Sequence, residues 1–506
     1  MMVIAVRDLP SATALLRLPA TLPAGPFRLT PPARIGRSMA QQDTAAIRRS
    51  PADLLLVVLL SGISPAFLIA VSIAEPYAGK DLKLPADEVI WFAESFLIGT
   101  LAVMPLSGTL ITKLGFVRLV RVALAGSLAA GCGLLICDKV VDLSSQGPVM
   151  ILLLLAGIFS APLAPAAQAF AVATHPPEQR GKAMALWGGG RFFGFLMTAV
   201  LAGPLIAMLG WSFPILVGAA MAVPCFALLR QPDRLPLDRS LLLDVTGLLL
   251  LLLALLPLLM VLNLISLFSS PQAHLWLIAL LLITLAGGWF FVRHVGRCRV
   301  PIVSLHPLGY RDFRIATFIA FAVALMTTGQ FSILMLGEFS KISSDWLSWR
   351  TALGGIAQVL GVIAGGYLVR PLIARPAACL ALVVTALGLA SFNLYGATVD
   401  LATISATRAL MGFGLGLTVP LLAAFAYSGL REDDTPAASS LFVFAGMMGT
   451  GIGVAALGGE FTEAHILIDN TLASYRVVFW TQVIAVVALI PLVWMLRLDD
   501  LRTTRR

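Results

Sequence analysis

Charged side chains are scarce in this chain. Lysine, arginine, aspartate and glutamate make up 12% of its 506 residues, against about 25% in an average soluble domain. Hydrophobic residues make up 59%, and the mean hydropathy is +0.93. A soluble fold cannot bury so much apolar surface. The composition therefore excludes a soluble enzyme and indicates a protein that crosses a membrane many times.

Residues that hold metals or form disulfides are also few. The five histidines are scattered over predicted loops and helix ends, with no metal-ligand spacing such as H-x-x-x-H. The five cysteines are an odd number and lie mostly inside apolar runs, which argues against a disulfide framework. The sequence contains no G-x-x-x-x-G-K-S/T loop for ATP, and no extramembrane segment is long enough for a catalytic domain. We expect no metal, no cofactor and no enzymatic activity.

The basic residues follow the topology of a membrane protein. The net charge is +9, but lysines and arginines are spread over short segments between apolar runs, so nucleic acid is not an expected partner. With the amino terminus inside, 27 of the 35 basic residues fall on cytoplasmic segments and six on external segments. This bias predicts a plasma (inner) membrane protein with both termini in the cytoplasm.

From Asp53 onward the chain is a series of apolar runs, each near the length needed to cross about 30 Å of hydrocarbon. These runs predict fourteen transmembrane helices in an all-α membrane protein. Their predicted ranges are 54–74, 89–112, 117–136, 148–172, 183–207, 212–229, 244–266, 274–293, 315–337, 351–369, 377–396, 402–428, 437–458 and 477–496.

An internal duplication relates the two halves of the chain. Matching residues recur at an offset of 255 positions, with identical or similar residues at six places: Gly157 and Gly412, Pro165 and Pro420, Ala169-Phe170 and Ala424-Phe425, Glu178 and Asp433, Ala183 and Ala438, and Gly194 and Gly449. Such repeats are typical of transporters built from repeated helix bundles. The offset spans eight helices, so two helices are inserted between two bundles of six.

The duplication sets the expected domain boundaries. We expect a disordered cytoplasmic tail at 1–52, a six-helix bundle at 53–230, a linker with two inserted helices at 231–300, a second six-helix bundle at 301–498, and a short cytoplasmic tail at 499–506. Met39 is an alternative start of translation to Met1.

The loop after the second helix carries a motif. It reads GTLITKLGFVR, in which glycines permit tight turning and cations anchor at the inner interface. A generic positive loop would share some of these features. The stretch resembles the G-x-L-x-D-R-x-G-R-R loop of the major facilitator superfamily, without its acid, and the resemblance assigns a gating role to Gly108, Leu110, Lys113, Gly115 and Arg118.

Further stretches resemble the fourteen-span drug:proton antiporters of that superfamily, the EmrB/QacA type. The stretches are PPEQRGKAMALWG from Pro176, Trp91 with Ser95, RALMGFGLG from Arg408 with Pro420, and ASSLFVFAGMMGTGIGVA from Ala438. The resemblance extends over nearly all of residues 53–498. It implies the major facilitator fold, with two pseudo-symmetric six-helix bundles plus two inserted helices, and proton-coupled drug export.

Three groups that the antiporter family usually carries are missing. Phe67 stands where helix 1 often has an aspartate, and Leu153 stands where helix 4 usually has an arginine. The Gly-Pro pair of helix 5 aligns with Thr198-Ala199, and Gly203-Pro204 follows five residues later as a shifted version or a plain kink. The chain is therefore a divergent member.

Three ionisable residues inside predicted helices are candidates for proton coupling, because a buried charge in a membrane is costly. They are Glu94 in helix 2, Arg191 in helix 5 and Arg408 in helix 12. Each also has a simpler explanation. Glu94 would be a tolerated carboxylate near the outer surface, Arg191 would reach the inner interface, and Arg408 would hold a structural hydrogen bond. Sequence does not decide whether Glu94 and Arg191 meet.

Other residues are candidates for hinges and for the substrate cavity. Prolines and a Gly-Pro pair inside helices can kink them, and the candidates are Pro162, Pro165, Gly203, Pro204 and Pro420. Aromatic and methionine side chains form adaptable apolar pockets, although they more often pack or face lipid. The cavity candidates are Phe192, Phe195, Met197, Met447 and Met448.

The resemblance implies a secondary active exporter of hydrophobic or amphipathic small molecules that works by alternating access in exchange for protons. Its expected partners are the small-molecule substrate, protons and the lipid bilayer. The resemblance adds a periplasmic adaptor and an outer-membrane channel in a Gram-negative cell. Two alternatives stay open: a transporter-derived binding or sensory protein without coupling, and a metabolite transporter with a different coupling ion.

Overall fold

The structure is a computed structural model, and the residues it describes are helical almost throughout. They are residues 51–84, 86–139, 147–175, 179–229, 237–238, 244–264, 271–298, 301–327, 344–370, 372–395, 400–468 and 471–497. The two predicted tails, except for their residues nearest the bundle, and Glu178 of the repeat lie outside these ranges. We call the end of the bundle at which the first helix begins the proximal end, and the opposite end the distal end.

Helices occur at all fourteen predicted positions within the described residues, and ten continuous helical stretches are long and apolar enough to span a membrane. The helices are α1 Pro51–Asp81, α2 Ala86–Val103, α3 Ser107–Leu114, α4 Phe116–Lys139, α5 Gly147–Ser160, α6 Leu163–Thr174, α7 Arg180–Leu209, α8 Ser212–Ala220, α9 Ala222–Leu228, α10 Val245–Leu264, α11 Pro271–Val295, α12 Arg311–Met326, α13 Ser344–Leu368, α14 Ala374–Ser391, α15 Leu401–Tyr427, α16 Thr435–Ile468, α17 Thr471–Ala488 and α18 Ile490–Trp494.

Several predicted helices are broken into two pieces, and prolines mark three of the breaks. Pro105 lies in the 3-10 turn between α2 and α3, Pro162 precedes the first residue of α6, and Pro491 lies at the start of α18. Proline has no N–H for the helical ladder and clashes with the preceding turn, so the helix bends or restarts there. Pro204 and Pro420, in contrast, lie inside the continuous helices α7 and α15.

The duplication appears as equivalent contacts in the two halves. A Cβ on Gly157 would lie 2.2 Å from the carbonyl oxygen of Phe96 on α2, and a Cβ on Gly412 would lie 2.2 Å from that of Gly354 on α13. At both places glycine permits two helix backbones to touch. The sequence repeat therefore corresponds to a repeated mode of helix packing.

The two inserted helices lie at the periphery of the bundle. α10 and α11 pack against each other, and α10 also touches α2 and α16. Only 11% of the most apolar window of α11 is buried, and large side chains such as Leu275, Trp276 and Trp289 are exposed. An exposed apolar helix in a membrane protein faces lipid, so α11 lies at the lipid boundary.

Candidate substrate cavity

A cavity of about 210 Å³ lies at the centre of the bundle, between the two repeats. Six helices form its wall: α1 and α7 from the first repeat, and α12, α13, α15 and α16 from the second. The lining residues are Pro65, Leu68, Ile69, Trp187, Arg191, Phe192, Phe195, Ala320, Val323, Ala324, Thr327, Gln358, Leu415, Thr418, Val419, Leu422, Phe442, Val443, Gly446, Met447 and Thr450.

Much of this cavity wall consists of residue pairs related by the internal duplication. Lining residues on α1 and α7 have a lining partner 255 positions later on α12 and α16, and the pairs are Pro65 and Ala320, Leu68 and Val323, Ile69 and Ala324, Trp187 and Phe442, Arg191 and Gly446, Phe192 and Met447, and Phe195 and Thr450. The cavity is therefore built around the pseudo-symmetry that relates the two bundles.

Trp187 is the central aromatic group of the wall. It is almost fully buried, and its indole N–H donates a hydrogen bond of 3.0 Å to the carbonyl oxygen of Ala164 on α6. Its ring centroid lies 6.5 Å from that of Phe442 in the other repeat. The Arg191 guanidinium lies 5.1 Å from the Trp187 ring centroid, within the range of a cation–π interaction.

The neutral polar side chains of the wall differ in what they offer a ligand. The hydroxyls of Thr327, Thr418 and Thr450 donate hydrogen bonds to carbonyl oxygens of their own helices, over 2.7, 2.9 and 3.1 Å. Gln358 is 5% exposed, and its buried side-chain oxygen has no hydrogen-bond partner among the described residues. Its amide is therefore available to a polar group in the cavity.

The five residues predicted for the cavity separate into two groups. Phe192, Phe195 and Met447 line it. Met197 points away and is 38% exposed, whereas Met448 is buried in the apolar core outside the lining. Helical periodicity explains the difference for Met197, because it falls on the opposite face of α7 from Arg191 and Phe195. Contact of any of them with a substrate stays a prediction.

Glu94 lies on α2 outside the cavity wall and is half-buried. Its carboxyl group interacts electrostatically with that of Glu75 on α1. A Cβ on Gly79 would touch Val89 at 2.6 Å, which brings the distal ends of the antiparallel helices α1 and α2 together. Arg191 lines the cavity, whereas Glu94 does not.

Arg408 also lies outside the cavity wall, on α15. It is buried with 6% exposure, and its backbone and Cβ pack against Gly354 of α13. The guanidinium interacts electrostatically with Tyr395, whose hydroxyl lies 2.7 Å from the hydroxyl of Thr407. These surroundings fit the structural reading of Arg408, and its role in coupling stays a prediction.

The positions that depart from the antiporter family are filled by packing groups. Phe67 is buried and stacks on Phe96 of α2 with ring centroids 5.9 Å apart. Leu153 is fully buried on α5. Thr198 is buried on α7, and its hydroxyl has no hydrogen-bond partner among the described residues. The places of the missing aspartate and arginine thus hold no charge.

The loop motif lies at the proximal interface between the two repeats. A Cβ on Gly108 would lie 2.7 Å from the carbonyl oxygen of Pro436, at the start of α16. Gly115 ends α3 with φ of +83°, a conformation that favours glycine. Leu110 and Lys113 are half-buried, and Arg118 is exposed. Gly108 therefore serves direct packing between the repeats, as a gate element would.

The predicted hinge residues occupy different settings. Pro162 and Pro165 are buried where α6 follows α5, and Pro420 packs against Gly365 of α13. Gly203 and Pro204 lie near the distal end of α7, where Pro204 is exposed. Their part in motion stays a prediction.

A second polar cluster joins the two inserted helices at their proximal ends. The ligand atoms of Asp244, His294 and Cys298 lie within 4.8 Å of one another. Both Asp244 oxygens lie within 2.9 Å of His294 Nε2, and one of them also accepts the Gly247 N–H at 2.8 Å. These hydrogen bonds cap the start of α10 and identify the cluster as a tie between α10 and α11.

Sequence reasoning missed several groups of the site. Trp187 and Gln358 line the cavity, and Glu75 interacts electrostatically with Glu94. The internal duplication could have identified Trp187, because the offset of 255 positions pairs it with Phe442 on the glycine-rich helix α16. No sequence signal pairs Glu75 with Glu94, because their proximity depends on the register of α1 against α2.

Comparisons with known proteins agree with this architecture. The Major Facilitator Superfamily profile matches residues 54–292. The chain is 24% identical over 441 residues to the probable multidrug resistance protein EmrY of Escherichia coli K12, covering 81% of this chain and 80% of that protein. It is 25% identical over 435 residues to the multidrug export protein EmrB of the same strain, covering 78% and 79%.

One relative matches only in part, and a solved structure matches the whole fold. The fatty acid resistance protein FarB of Neisseria gonorrhoeae is 29% identical over 143 residues, 28% of this chain and 25% of that protein. The human organic anion transporter MFSD10 shares 16% identity at a TM-score of 0.61, covering 88% of this chain and 100% of that chain. The chain is thus similar over most of its length to transporters of the Major Facilitator Superfamily, as a divergent relative.

Proposed function

We propose that this transporter exports hydrophobic or amphipathic small molecules across the inner membrane in exchange for protons. The observation that carries the proposal is the central cavity, whose wall is largely aliphatic and aromatic and is shared by the two repeats. Rocking of two bundles around such a site is the mechanism of alternating access. The similarity to EmrY and EmrB, which are named for multidrug resistance and export, supports the outward direction.

The proton would be carried by Glu94 together with Glu75. Two carboxyl groups within electrostatic range of each other in a partly buried place repel when both are ionised, so a shared proton would relieve the repulsion. Glu75 lies on α1 six residues after Ile69, which lines the cavity. At 1.5 Å per residue that separation is about 9 Å. Movement of α1 would thus link protonation to the shape of the cavity.

Gating would occur at the proximal end, where Gly108 packs against Pro436. Separation of α3 from the start of α16 would open the cavity toward that face. The charge bias of the sequence makes the proximal face cytoplasmic. A periplasmic adaptor and an outer-membrane channel would then meet the distal face in a Gram-negative cell.

Specific observations favour the alternative of an uncoupled binding or sensory protein. The positions of the helix 1 aspartate and the helix 4 arginine hold Phe67 and Leu153, which are both buried among apolar side chains. A protein without these groups binds its ligand without moving protons, unless Glu94 and Glu75 replace them. The third possibility, a metabolite transporter with another coupling ion, predicts flux that follows that ion.

The test is transport in liposomes that contain a pH dye, under an imposed proton gradient, with a panel of lipophilic dyes, cations and weak acids. We expect substrate-dependent proton flux in the wild type and its loss in Glu94→Gln. Asp81→Asn is the matched control, since Asp81 is exposed at the end of α1. Flux that persists in Glu94→Gln would remove Glu94 as the carrier. Ligand binding without flux for any compound would favour the uncoupled protein.

A further inference from the structure

The cavity contains one kind of charge. Arg191 is its single ionisable lining residue within the described part of the chain, and no aspartate or glutamate lines the wall. No described carboxylate lies within ion-pair distance of the guanidinium. The face of the Trp187 ring is the group that the cation contacts.

The described residues that line the cavity supply no negative counter-charge to this cation. An arginine in the interior of a membrane protein is costly unless a counter-charge or water stabilises it. A cation–π contact offsets only part of such a cost. Arg191 is half-buried and borders the cavity, so a ligand in the cavity can reach it.

The charge on the cavity wall differs between the two repeats. The position equivalent to Arg191 in the second repeat is Gly446, where a Cβ would meet nothing within 4 Å. The cavity thus has a cation on one wall and open space on the opposite wall. Phe192, Phe195 and Met447 line the same cavity and offer apolar surface to the body of a ligand.

We propose that Arg191 binds the anionic group of the substrate, so that the substrates of this transporter are amphipathic carboxylates or similar organic anions. The planar guanidinium donates two parallel hydrogen bonds to a carboxylate, which a lipophilic cation cannot accept. Gln358 on α13 also lines the cavity, and the N–H₂ of its side-chain amide can donate a second hydrogen bond to the carboxylate. This inference rests on the proposed function only in taking the cavity as the substrate site.

The test measures binding, so it does not depend on transport. The full chain in lipid nanodiscs is titrated calorimetrically at pH 8 with three probes that share one ring system: 1-naphthaleneacetate, 1-naphthaleneacetamide and 1-naphthylmethylammonium, with empty nanodiscs subtracted. We expect the wild type to bind the carboxylate at least tenfold more tightly than the amide and to bind the cation most weakly, because a charged hydrogen bond contributes about 1.5–3 kcal/mol.

Two pairs of variants separate charge from structure. Arg191→Gln should weaken carboxylate binding tenfold or more and change amide binding less than threefold, and Arg191→Lys should keep the preference for the anion. Gly446→Glu should abolish carboxylate binding by placing a negative charge in the open space, whereas Gly446→Gln should retain it. Arg121→Gln, which removes an exposed cation from α4, should change neither affinity.

The outcomes distinguish this inference from the proposed function. Wild-type protein that prefers the ammonium probe, or equal losses of carboxylate and amide binding in Arg191→Gln, would overturn the anion site. Carboxylate binding that requires Arg191, combined with no proton-driven export in liposomes, would keep the anion site and reject the exporter. Export of the three probes at equal rates would keep the exporter and reject the anion site.

Discussion

Trp187 and Phe442 occupy equivalent positions in the two repeats, and their rings meet across the centre of the molecule with centroids 6.5 Å apart. A residue near a pseudo-two-fold axis lies close to its own equivalent, so this contact places the axis beside the two rings. The cavity opens next to them, between Arg191 on one wall and Gly446 on the other. The proposed substrate site thus coincides with the place where the repeats face each other.

Replacement of Trp187 by phenylalanine tests whether the hydrogen bond from its indole to Ala164 stabilises the ring contact with Phe442. Trp187→Phe keeps an aromatic ring against Phe442 but removes the hydrogen bond to the Ala164 carbonyl. We expect a loss of about 1 kcal/mol in unfolding free energy, measured as a lower midpoint of thermal unfolding in detergent. Trp289→Phe, at an exposed position on α11, should leave the midpoint unchanged. Equal effects of the two substitutions would contradict an anchoring role.

The equivalent glycines of the two repeats should respond alike to a methyl group. Gly157→Ala and Gly412→Ala each place a Cβ 2.2 Å from a backbone oxygen of a neighbouring helix. We expect each to lower the unfolding free energy by about 1–3 kcal/mol, because the helices must move apart. Gly147→Ala is the control on the same helix as Gly157, since its Cβ would meet nothing within 4 Å. Neutral behaviour of both variants in unfolding experiments would disprove the close packing.

Glu75 should matter to coupling as much as Glu94. Glu75→Gln removes the like charge that interacts with Glu94, so the repulsion that favours a shared proton is lost. We expect at least a fivefold fall in substrate-driven proton flux in liposomes, with substrate binding kept within about threefold. Flux at the wild-type rate in Glu75→Gln, with flux lost in Glu94→Gln, would assign the proton to Glu94 alone.

The hydrogen bonds of Asp244 that join the inserted helices α10 and α11 should make the free energy of unfolding depend on pH. Partial burial acts to raise the pKa of Asp244, but hydrogen bonds from the Gly247 N–H and from His294 outweigh it and hold the pKa below its usual value. A carboxyl group with a lowered pKa stabilises the fold above its unfolded-state pKa of about 3.9, and this contribution is lost as pH falls through the folded-state value. Asp244→Asn should therefore unfold at a lower temperature than the wild type at pH 7.

The same comparison at lower pH completes this prediction. The difference in unfolding temperature between the wild type and Asp244→Asn should narrow as pH falls below about 4. Asp433→Asn serves as the control, because Asp433 is exposed. A difference that stays constant from pH 7 to pH 3.5 would show that the carboxylate charge does not stabilise this tie.

The sequence by itself determined the membrane class, the fourteen helix positions and the duplication. Hydrocarbon accepts only long apolar helices with satisfied backbones, so composition and run length suffice to identify them. The glycines of the repeat could be recognised because close helix contact requires glycine at fixed positions, as at Gly157 and Gly412. Phe192, Phe195 and Met447 of the cavity wall were predicted because aromatic and methionine side chains form adaptable apolar pockets.

Only the tertiary structure decided which side chains share a space. It placed Arg191 in the cavity wall and Glu94 outside it, turned Met197 outward and brought Glu75 within electrostatic range of Glu94. These outcomes depend on the rotation and register of one helix against another. Apolar helices in lipid have similar hydropathy on all faces, so sequence periodicity does not fix their rotation. Close packing of glycine backbones fixes it, and that packing left Arg191 facing the cavity with Trp187 beside it.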